Sequence, residues 1–490
     1  MNNEKYDIVL INPGDRKQAF QGLALDVAAI EPPFWIVVIA AYLRNKGFKV
    51  AIIDANGENI APEETTARVD AFKPLLSAVI VYGSQPSAST QNMPSAGRIC
   101  TEMTKYGNSK IAIGGLHPSA LPEQTLKEEN VDFVIDGEAI ITIEKLLRKL
   151  QNDDNDYDDV GGLWWKEGDT IKHTERYPII KDLDEFLPVG AWDLLPMDIY
   201  RAHNWHCFDD IEHRQPYAAI YTSLGCPFNC VFCCINAPFG KPSIRYRSPE
   251  KVLDEMELLV KEYGVKNLKI VDELFVLKKS HYMTICKGII DRGLDLNIWA
   301  YARVDTVDPD DLEIMKKAGV NWLALGIESA NPKVRDGATK NMRVNEIKEV
   351  VRMIQDAGIR VIGNYIFGLP DDTLETMQET LDMALDLNCE FANLYSAMAY
   401  PGSKLYDIGI NEGWQLPESW GGFSQHSYDC LPLRNKQLST AEILKFRDDA
   451  FDTYFKNPNY LNMLEEKFGY KVREHIENIA AKKLKRKLYE

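Results

Sequence analysis

The sequence predicts an α/β protein built from two parallel-sheet units and a mostly helical C-terminal region. The first unit is a doubly wound, Rossmann-like sheet, and the second a partial (βα)6 barrel of the TIM type. Three observations carry that prediction. Near-continuous apolar runs alternate with amphipathic stretches from Tyr6 to Ile135. Six further strand-like runs, each followed by a helical stretch, recur between Ala218 and Tyr395. From Gly409 onward that rhythm stops. The expected divisions are 1–150 for the doubly wound unit, 151–212 for a linker and small β element, 213–405 for the barrel and 406–490 for the helical region.

Size and charge narrow the function. A chain of 490 residues exceeds one ordinary domain. Its 45% hydrophobic and 26% charged content is globular, and no apolar run reaches the length of a membrane span. The longest, Trp35 to Leu43, ends at Arg44 and reads as a buried helix. A net charge of −17 opposes general polyanion binding, so no nucleic-acid partner is expected. The basic run Lys482, Lys483, Lys485, Arg486 and Lys487 reads as the solvated face of a terminal helix. No basic segment precedes an apolar core at Met1–Asp7, and nine cysteines, four of them between 226 and 234, do not make a disulfide framework. The expected setting is cytoplasmic and reducing, with one metal or redox site.

Within the first unit the strands fall at 6–12, 49–54, 78–83, 110–114 and 132–135. Such runs imply a sheet covered on both faces, with ligands bound beyond the carboxyl ends of the strands. The loops there carry Asn12-Pro13-Gly14, Ser84-Gln85-Pro86, Gly114-Gly115-Leu116-His117-Pro118 and Gly137-Glu138. None has the G-x-G-x-x-G dinucleotide pattern, and each alone reads as a strand-to-helix turn. The acidic stretch 152–159 lacks the glycine and closing glutamate of a calcium loop and reads as a solvated linker. A hairpin turning at Glu167-Gly168-Asp169 and a proline-punctuated connector from Pro178 to Pro196 are expected to brace the two large units.

In the barrel, chemistry belongs at the carboxyl ends of the strands. There stand the cysteines after the first strand, Asp272-Glu273 after the second, Arg303 after the third, Glu328-Ser329 after the fourth, Gly368-Leu369-Pro370 after the fifth and Tyr400-Pro401-Gly402 after the sixth. Cys226, Cys230 and Cys233 are spaced C-x3-C-x2-C on a short loop. Thiolates so placed select zinc, copper(I) or iron–sulfur. Structural zinc takes four closed ligands, often as two separated pairs, and no second C-x2-C or H-x3-H follows.

The C-x3-C-x2-C loop, with Phe232 before its last cysteine and set on the first strand of such a barrel, resembles the signature of the radical S-adenosylmethionine (SAM) family. The first 150 residues resemble the cobalamin-binding domain found ahead of many such enzymes, through Pro32-Pro33, Gly114-Gly115-x-His117, Pro122-Glu123 and Gly137-Glu138. The two together look like the cobalamin-binding class. That resemblance implies a four-iron four-sulfur cluster on Cys226, Cys230 and Cys233, with SAM chelating the fourth iron and Cys234 left as a packing thiol. By the same resemblance Asp272 and Glu273 stand where the family has a GGE segment for the SAM amino group, and Glu328 contacts the ribose or amino end. Gly363 and Gly368 match the strand-five pattern that lies against the adenine, and Arg303 pairs with the SAM carboxylate or makes an interdomain salt bridge. Cobalamin is expected at Ser84, Gln85, Gly114, Gly115, His117, Gly137 and Glu138. The D-x-H-x-x-G motif is absent, so His117 is expected at backbone or at the cofactor's periphery, and the loop Ile30–Phe34 faces the lower side of cobalt. The implied activity is methylation of an unactivated carbon of a small-molecule or lipid substrate, with a flavodoxin- or ferredoxin-type external electron donor. A radical cyclase or rearrangement enzyme, and a non-catalytic cobalamin and iron–sulfur sensor or electron-transfer protein, are the alternatives. No side chain is expected to act as a conventional acid or base.

Overall fold

The computed structural model describes residues 5–23, 28–83, 85–107, 109–338 and 344–490. In the first unit β1 (Ile8–Asn12), β2 (Val50–Asp54), β3 (Leu76–Val81), β4 (Lys110–Gly115) and β5 (Phe133–Ile135) form a parallel sheet in the order β2-β1-β3-β4-β5. Successive residues of its strands bury into opposite layers. Ile8, Leu10, Ala78 and Ile80 pack with the helix Phe34–Asn45, while Val9, Ile11, Val79 and Val81 pack with Met93, Ala96 and Ile99 on the other side. Helix Phe34–Asn45 is buried from Phe34 to Leu43, which accounts for a segment apolar on every face. The strand order reverses between β1 and β3, and a crevice opens outside their carboxyl ends.

The hairpin of β6 (Leu163–Glu167) and β7 (Thr170–His173) does not stand as a brace in a linker. It extends this sheet antiparallel beyond β5, with Phe133 paired to Trp165 and Ile135 to Leu163. Burial of Leu163 and Trp165 drives it there, since an isolated two-stranded hairpin has no face to cover.

The second unit starts with β8 (Tyr217–Ile220). A two-residue antiparallel ladder follows, β9 (Ser223–Leu224) on β10 (Arg245–Tyr246). Then come β11 (Asn267–Ile270), β12 (Asn297–Arg303), β13 (Val320–Glu328), β14 (Arg360–Phe367) and β15 (Phe391–Ser396), in the parallel order β15-β14-β13-β12-β11-β8. The sheet has two edges and so is a partial barrel. Its register is pinned across the strand starts by side-chain amides, Asn297 Nδ2 to Asn267 Oδ1 at 2.9 Å and Asn321 Nδ2 to Asn297 Oδ1 at 3.0 Å. The apolar core runs without interruption from the helix Phe34–Asn45 of the first unit into Tyr217, Ala219 and Tyr221 of the second.

The C-terminal helices Thr440–Phe455, Pro458–Phe468 and Tyr470–Ala480 follow; Gly469, at φ 86°, breaks what the sequence presents as one helical stretch from Tyr460 to Leu488. The basic tail departs from its expected role. Beyond Ala480 it leaves the helix, and the Arg486 side chain is fully buried, paired with Asp448 and donating to the carbonyls of Gln425 and Ser427. A guanidinium with five donors can cap several stray carbonyls at once, and here it does. Among the described residues no helix is long and apolar enough to cross a membrane.

Candidate functional site

The cysteine loop leaves β8 through Tyr221-Thr222-Ser223, and a buried carboxylate sets that exit. Thr222 donates its N–H to Asp272 Oδ1 and its hydroxyl to Oδ2, and the Ser223 hydroxyl donates to Oδ2, all at 2.6 Å. His281 Nε2 lies 3.1 Å from Thr222 Oγ1. The β9–β10 ladder then closes the excursion into a hairpin whose tip carries the thiols. Gly225 sits at φ 87°, and a Cβ there would meet Ser243 O at 2.4 Å, so the residue before Cys226 has to be glycine. Cys226, Cys230 and Cys233 form no disulfides and are half-buried, while Cys234 is buried. Cys226 feels both Glu273 and Cys230, and Cys233 feels Cys226, so the three thiols share one electrostatic neighbourhood. Burial pushes Cys226 up to about 11 and Cys233 well above the usual thiol range. Such thiols ionise only against a strong positive partner, which a soft metal centre provides. Among the described residues no three His, Cys, Asp or Glu side chains converge on a single-ion site.

Around the loop stand the other strand ends. Arg303 lies flat over Phe228, 3.9 Å from the ring centroid, and its fork takes Asp305 at 2.8 Å through both Nε and Nη2. Its bidentate edge is thus occupied by an acid of its own unit, a partner the sequence reading did not name, rather than by an interdomain one. Glu273 is half-buried, its carboxyl pushed up to about 8 by burial, with Lys269 opposing and Asp272 adding to that shift. Glu328 has φ 66°, in the left-handed region, where the β13–β14 register slips between Gly326 and Glu328. A glutamate held there costs roughly 1–2 kcal/mol, and such outliers cluster at functional sites. Gly363 is buried in β14 with the Tyr365 ring 2.7 Å from where its Cβ would be. Gly368, at φ 86°, donates its N–H to Asp372 and leaves room for Ile443 of the C-terminal helix, 2.6 Å from its missing Cβ.

A cleft with about 970 Å³ of open space, solvent included, lies between the ends of β1 and β3 and the barrel residues Ala219, Tyr221 and Val271. Its polar lining is rich in amides, Asn12, Asn56, Gln91 and Asn92, and its far wall is the loop Glu31-Pro32-Pro33-Phe34. Asn12 is held in place by Asp54 at 2.7 Å, which also accepts from Gly57 N–H and from the Tyr200 hydroxyl at 2.8 Å. Trp35 stacks on Tyr82 with centroids 4.6 Å apart, and Phe34 and Trp35 both pack on Tyr221, five residues before Cys226. These four rings, all of which line the cleft, form an aromatic wall that runs to within five residues of Cys226.

Two sequence profiles match the chain, one described as the radical SAM superfamily over residues 220–384 and one as the B12 binding domain over residues 21–147. The chain thus carries a radical SAM domain and a B12-binding domain. The first domain implies a four-iron four-sulfur cluster and SAM, and the second implies cobalamin. It is 28% identical to an uncharacterized methyltransferase of Pyrococcus horikoshii, over 92% of this chain and 94% of that one. It is 27% identical to the anaerobic magnesium-protoporphyrin IX monomethyl ester cyclase of Cereibacter sphaeroides, over 89% and 68% of the two chains. The fold is shared with the cobalamin-dependent SAM radical enzyme OxsB, at a TM-score of 0.70, 15% identity and 97% and 72% coverage. It is shared also with the methyltransferase TsrM of Kitasatospora setae, at 0.64, 18%, 83% and 76%.

The side chains of this radical SAM enzyme fit those groups. Three thiols on one loop, none of them in a disulfide, suit the cluster. The carboxylates of Glu273 and Glu328 suit the ammonium and hydroxyls of SAM. Four amides suit the amide-bearing rim of a corrin, and the buried Tyr82 hydroxyl has no hydrogen-bond partner among the described residues, so a polar ligand can satisfy it. The other residues anticipated from sequence lie elsewhere in the first unit. Ser84 falls outside the described residues, and Gln85 is not among those lining the cleft. Gly115, at φ 139°, lets β4 approach Val81 O, which a Cβ would meet at 2.1 Å, and Gly114 packs on Ile135. His117 is buried with Nδ1 3.2 Å from Thr90 Oγ1 and its ring edge-on to Trp420, and burial holds it neutral with its pKa down at about 3. Gly137 donates its N–H to Ser119 Oγ, and Glu138 pairs with Arg245 at 2.7 Å.

Sequence reasoning missed a buried polar cluster on the cleft's barrel side. Lys269 Nζ reaches Glu31 Oε2 at 3.0 Å, beneath the Trp299 ring, with the Tyr217 hydroxyl 3.3 Å from Glu31 and His203 also on the cleft wall. A lysine in the middle of the run Leu268-Lys269-Ile270-Val271 was the available signal.

Proposed function

We propose that this enzyme transfers a methyl group to an unactivated carbon of a small-molecule or lipid substrate, in the cytoplasm, with electrons from a flavodoxin- or ferredoxin-type donor. The observation that carries the reading is adjacency: Tyr221 both lines the cleft and leads into the cysteine loop. When bound, the three cofactors supply hydrogen abstraction by a 5′-deoxyadenosyl radical and a transferable methyl group. The chain's own work is to bind, orient and exclude water. In this reading Cys226, Cys230 and Cys233 hold the cluster, and Asp272 fixes their loop. Glu273 and Glu328 take the ammonium and ribose of SAM, the strand-five stretch from Gly363 to Gly368 lies against its adenine, and Arg303 stacks as a positive lid over the loop. Gln85, Gly114, Gly115, His117, Gly137 and Glu138 shape the cobalamin half, within divisions at 1–150, 151–212, 213–405 and 406–490. The aromatic wall keeps water from the junction.

A cyclase without net methyl transfer is the second reading, favoured by the cyclase relative of Cereibacter sphaeroides. Anaerobic incubation of the reconstituted protein with SAM, cobalamin and a reductant separates the two. Methyl transfer predicts S-adenosylhomocysteine alongside 5′-deoxyadenosine, whereas 5′-deoxyadenosine alone supports the cyclase. Cys230→Ala is expected to abolish 5′-deoxyadenosine formation, and unaltered cleavage in that variant would sink both readings.

A further inference from the structure

Arg245 lies in the seam between the two units, with its side chain 9% exposed. One corner of its guanidinium is pinned: Nη1 reaches Glu138 Oε1 at 2.7 Å and donates to Ile180 O at 2.5 Å. One face is covered by Phe239, 5.1 Å from the ring centroid. The remaining edge, Nε with Nη2, is buried and has no hydrogen-bond partner among the described residues. That edge is the one through which Arg303 grips Asp305 with two bonds, so it has the geometry of a bidentate oxyanion fork. A guanidinium carries a permanent charge, and two buried N–H groups without acceptors are costly.

Which oxyanion follows from the neighbours. Arg303 is the guanidinium whose charge acts on Cys226 and Cys230. Arg245 acts at the Tyr82 hydroxyl, together with Glu138 and Glu273; Tyr82 lines the cleft at the end of β3, and Arg245 stands behind that lining rather than in it. The Tyr82 hydroxyl is itself buried and unpartnered among the described residues. A carboxylate next to the cluster therefore belongs on the Arg303 side, and an oxyanion of whatever fills the cleft belongs on the Arg245 side. Resting on the cofactor reading above, we propose that Arg245 is a phosphate fork that binds the phosphodiester of cobalamin's nucleotide loop, with the Tyr82 hydroxyl as a third donor.

The test compares corrins with and without that phosphate. Full-length protein freed of cobalamin is titrated with hydroxocobalamin and with diaquocobinamide, which lacks the nucleotide loop, following tryptophan fluorescence. Arg245→Gln is expected to weaken hydroxocobalamin about ten- to hundredfold and leave cobinamide within twofold. Arg245→Lys keeps the charge without the fork, is expected to lose about tenfold, and decides the matter where the glutamine variant does not fold. In a parallel arm, SAM binding to cluster-loaded protein is expected to be unchanged. Equal affinities of wild type and both variants for hydroxocobalamin overturn the fork, as does equal loss of both corrins. A loss confined to SAM overturns the phosphodiester in favour of a carboxylate. Wild type that binds neither corrin overturns the cofactor reading itself, a result distinct from all of these.

Discussion

Asp272 is where the fold and the cysteine loop are most directly coupled, and Asp272→Ala tests that coupling. Three hydrogen bonds at 2.6 Å converge on its carboxylate from Thr222 N–H, Thr222 Oγ1 and Ser223 Oγ, in a site 1% exposed. Truncation leaves an N–H and two hydroxyls buried without their acceptor, each costing about 1–1.5 kcal/mol net. Against that stands the relief of removing a carboxylate whose burial already holds its pKa above the ordinary range. The balance is a loss of about 3 kcal/mol. Asp272→Asn keeps an acceptor for the Thr222 N–H and requires only that the hydroxyls turn, so it should cost about 1 kcal/mol. Urea unfolding of the metal-free protein measures both values, and iron content per chain after anaerobic reconstitution reads the loop. The alanine variant is expected to hold well under half the wild-type iron, because the turn that launches Cys226 has lost its anchor. A variant destabilised as stated but with full iron would refute the idea that this network positions the thiols. Unchanged stability would refute the energetic reasoning as well.

Two further perturbations probe other parts of the molecule. Glu129 packs over Gly97, and burial, with Glu128 beside it, raises its carboxyl from 4.5 to about 7. The stability this group contributes is fully present below about 4.5 and is lost as pH rises through 7, so Glu129→Gln should melt higher than wild type at pH 8, by about 1 kcal/mol after allowance for solvent screening, and close to it at pH 4. An unaltered difference between the two pH values would contradict the assignment. Arg486→Ala removes the buried clasp on Asp448, Gln425 O and Ser427 O and should cost about 3 kcal/mol. Because Ser424 Oγ donates to Ala19 O and Gln21 Nε2 to His426 O, hydrogen exchange should accelerate together in 419–431 and in the helix Arg16–Phe20 that walls the cleft, and normal protection of that helix would disprove the linkage.

How much of this was legible in the sequence depends on the range of the interactions. The strands of both sheets declare themselves through local periodicity, and the thiol loop through spacing. What sequence could not place are contacts between distant segments. The β6–β7 hairpin reads locally as a free-standing element, and only the pairing of Phe133 with Trp165 shows that it completes the first sheet. His117 reads as a loop residue at a strand end, yet it is sealed by Trp420 from the far end of the chain. Arg486 sits in a run of charges whose local reading is solvation, and its burial depends on carbonyls some sixty residues earlier, at Gln425 and Ser427. The left-handed Glu328 has a sequence signature only for a reader who asks why a glutamate ends a strand where glycine would be easier.

The Lys269–Glu31 pair shows what such long-range contacts are for. Both side chains are less than a tenth exposed, so the pair carries a desolvation cost that its attraction scarcely repays, and greater stability does not explain it. A hydrophobic pair of the same volume would join the two units at least as firmly, but it would tolerate sliding. A lysine fixed on β11 beneath Trp299 accepts one position of Glu31, and with Glu31 goes the Pro32-Pro33-Phe34 wall of the cleft. The two units must bring separate cofactor sites into register across an open-edged barrel, and among the described residues no strand pairing joins the two sheets, the Ile30–Arg201 bridge beside Glu31 being an isolated one. A buried ion pair does so at a single residue on each side, and the aromatic contacts of Phe34 and Trp35 with Tyr221 then lock the orientation. Glu31 and Lys269 thus help to hold the geometry between cleft and cysteine loop, alongside the Glu138–Arg245 pair of the same seam.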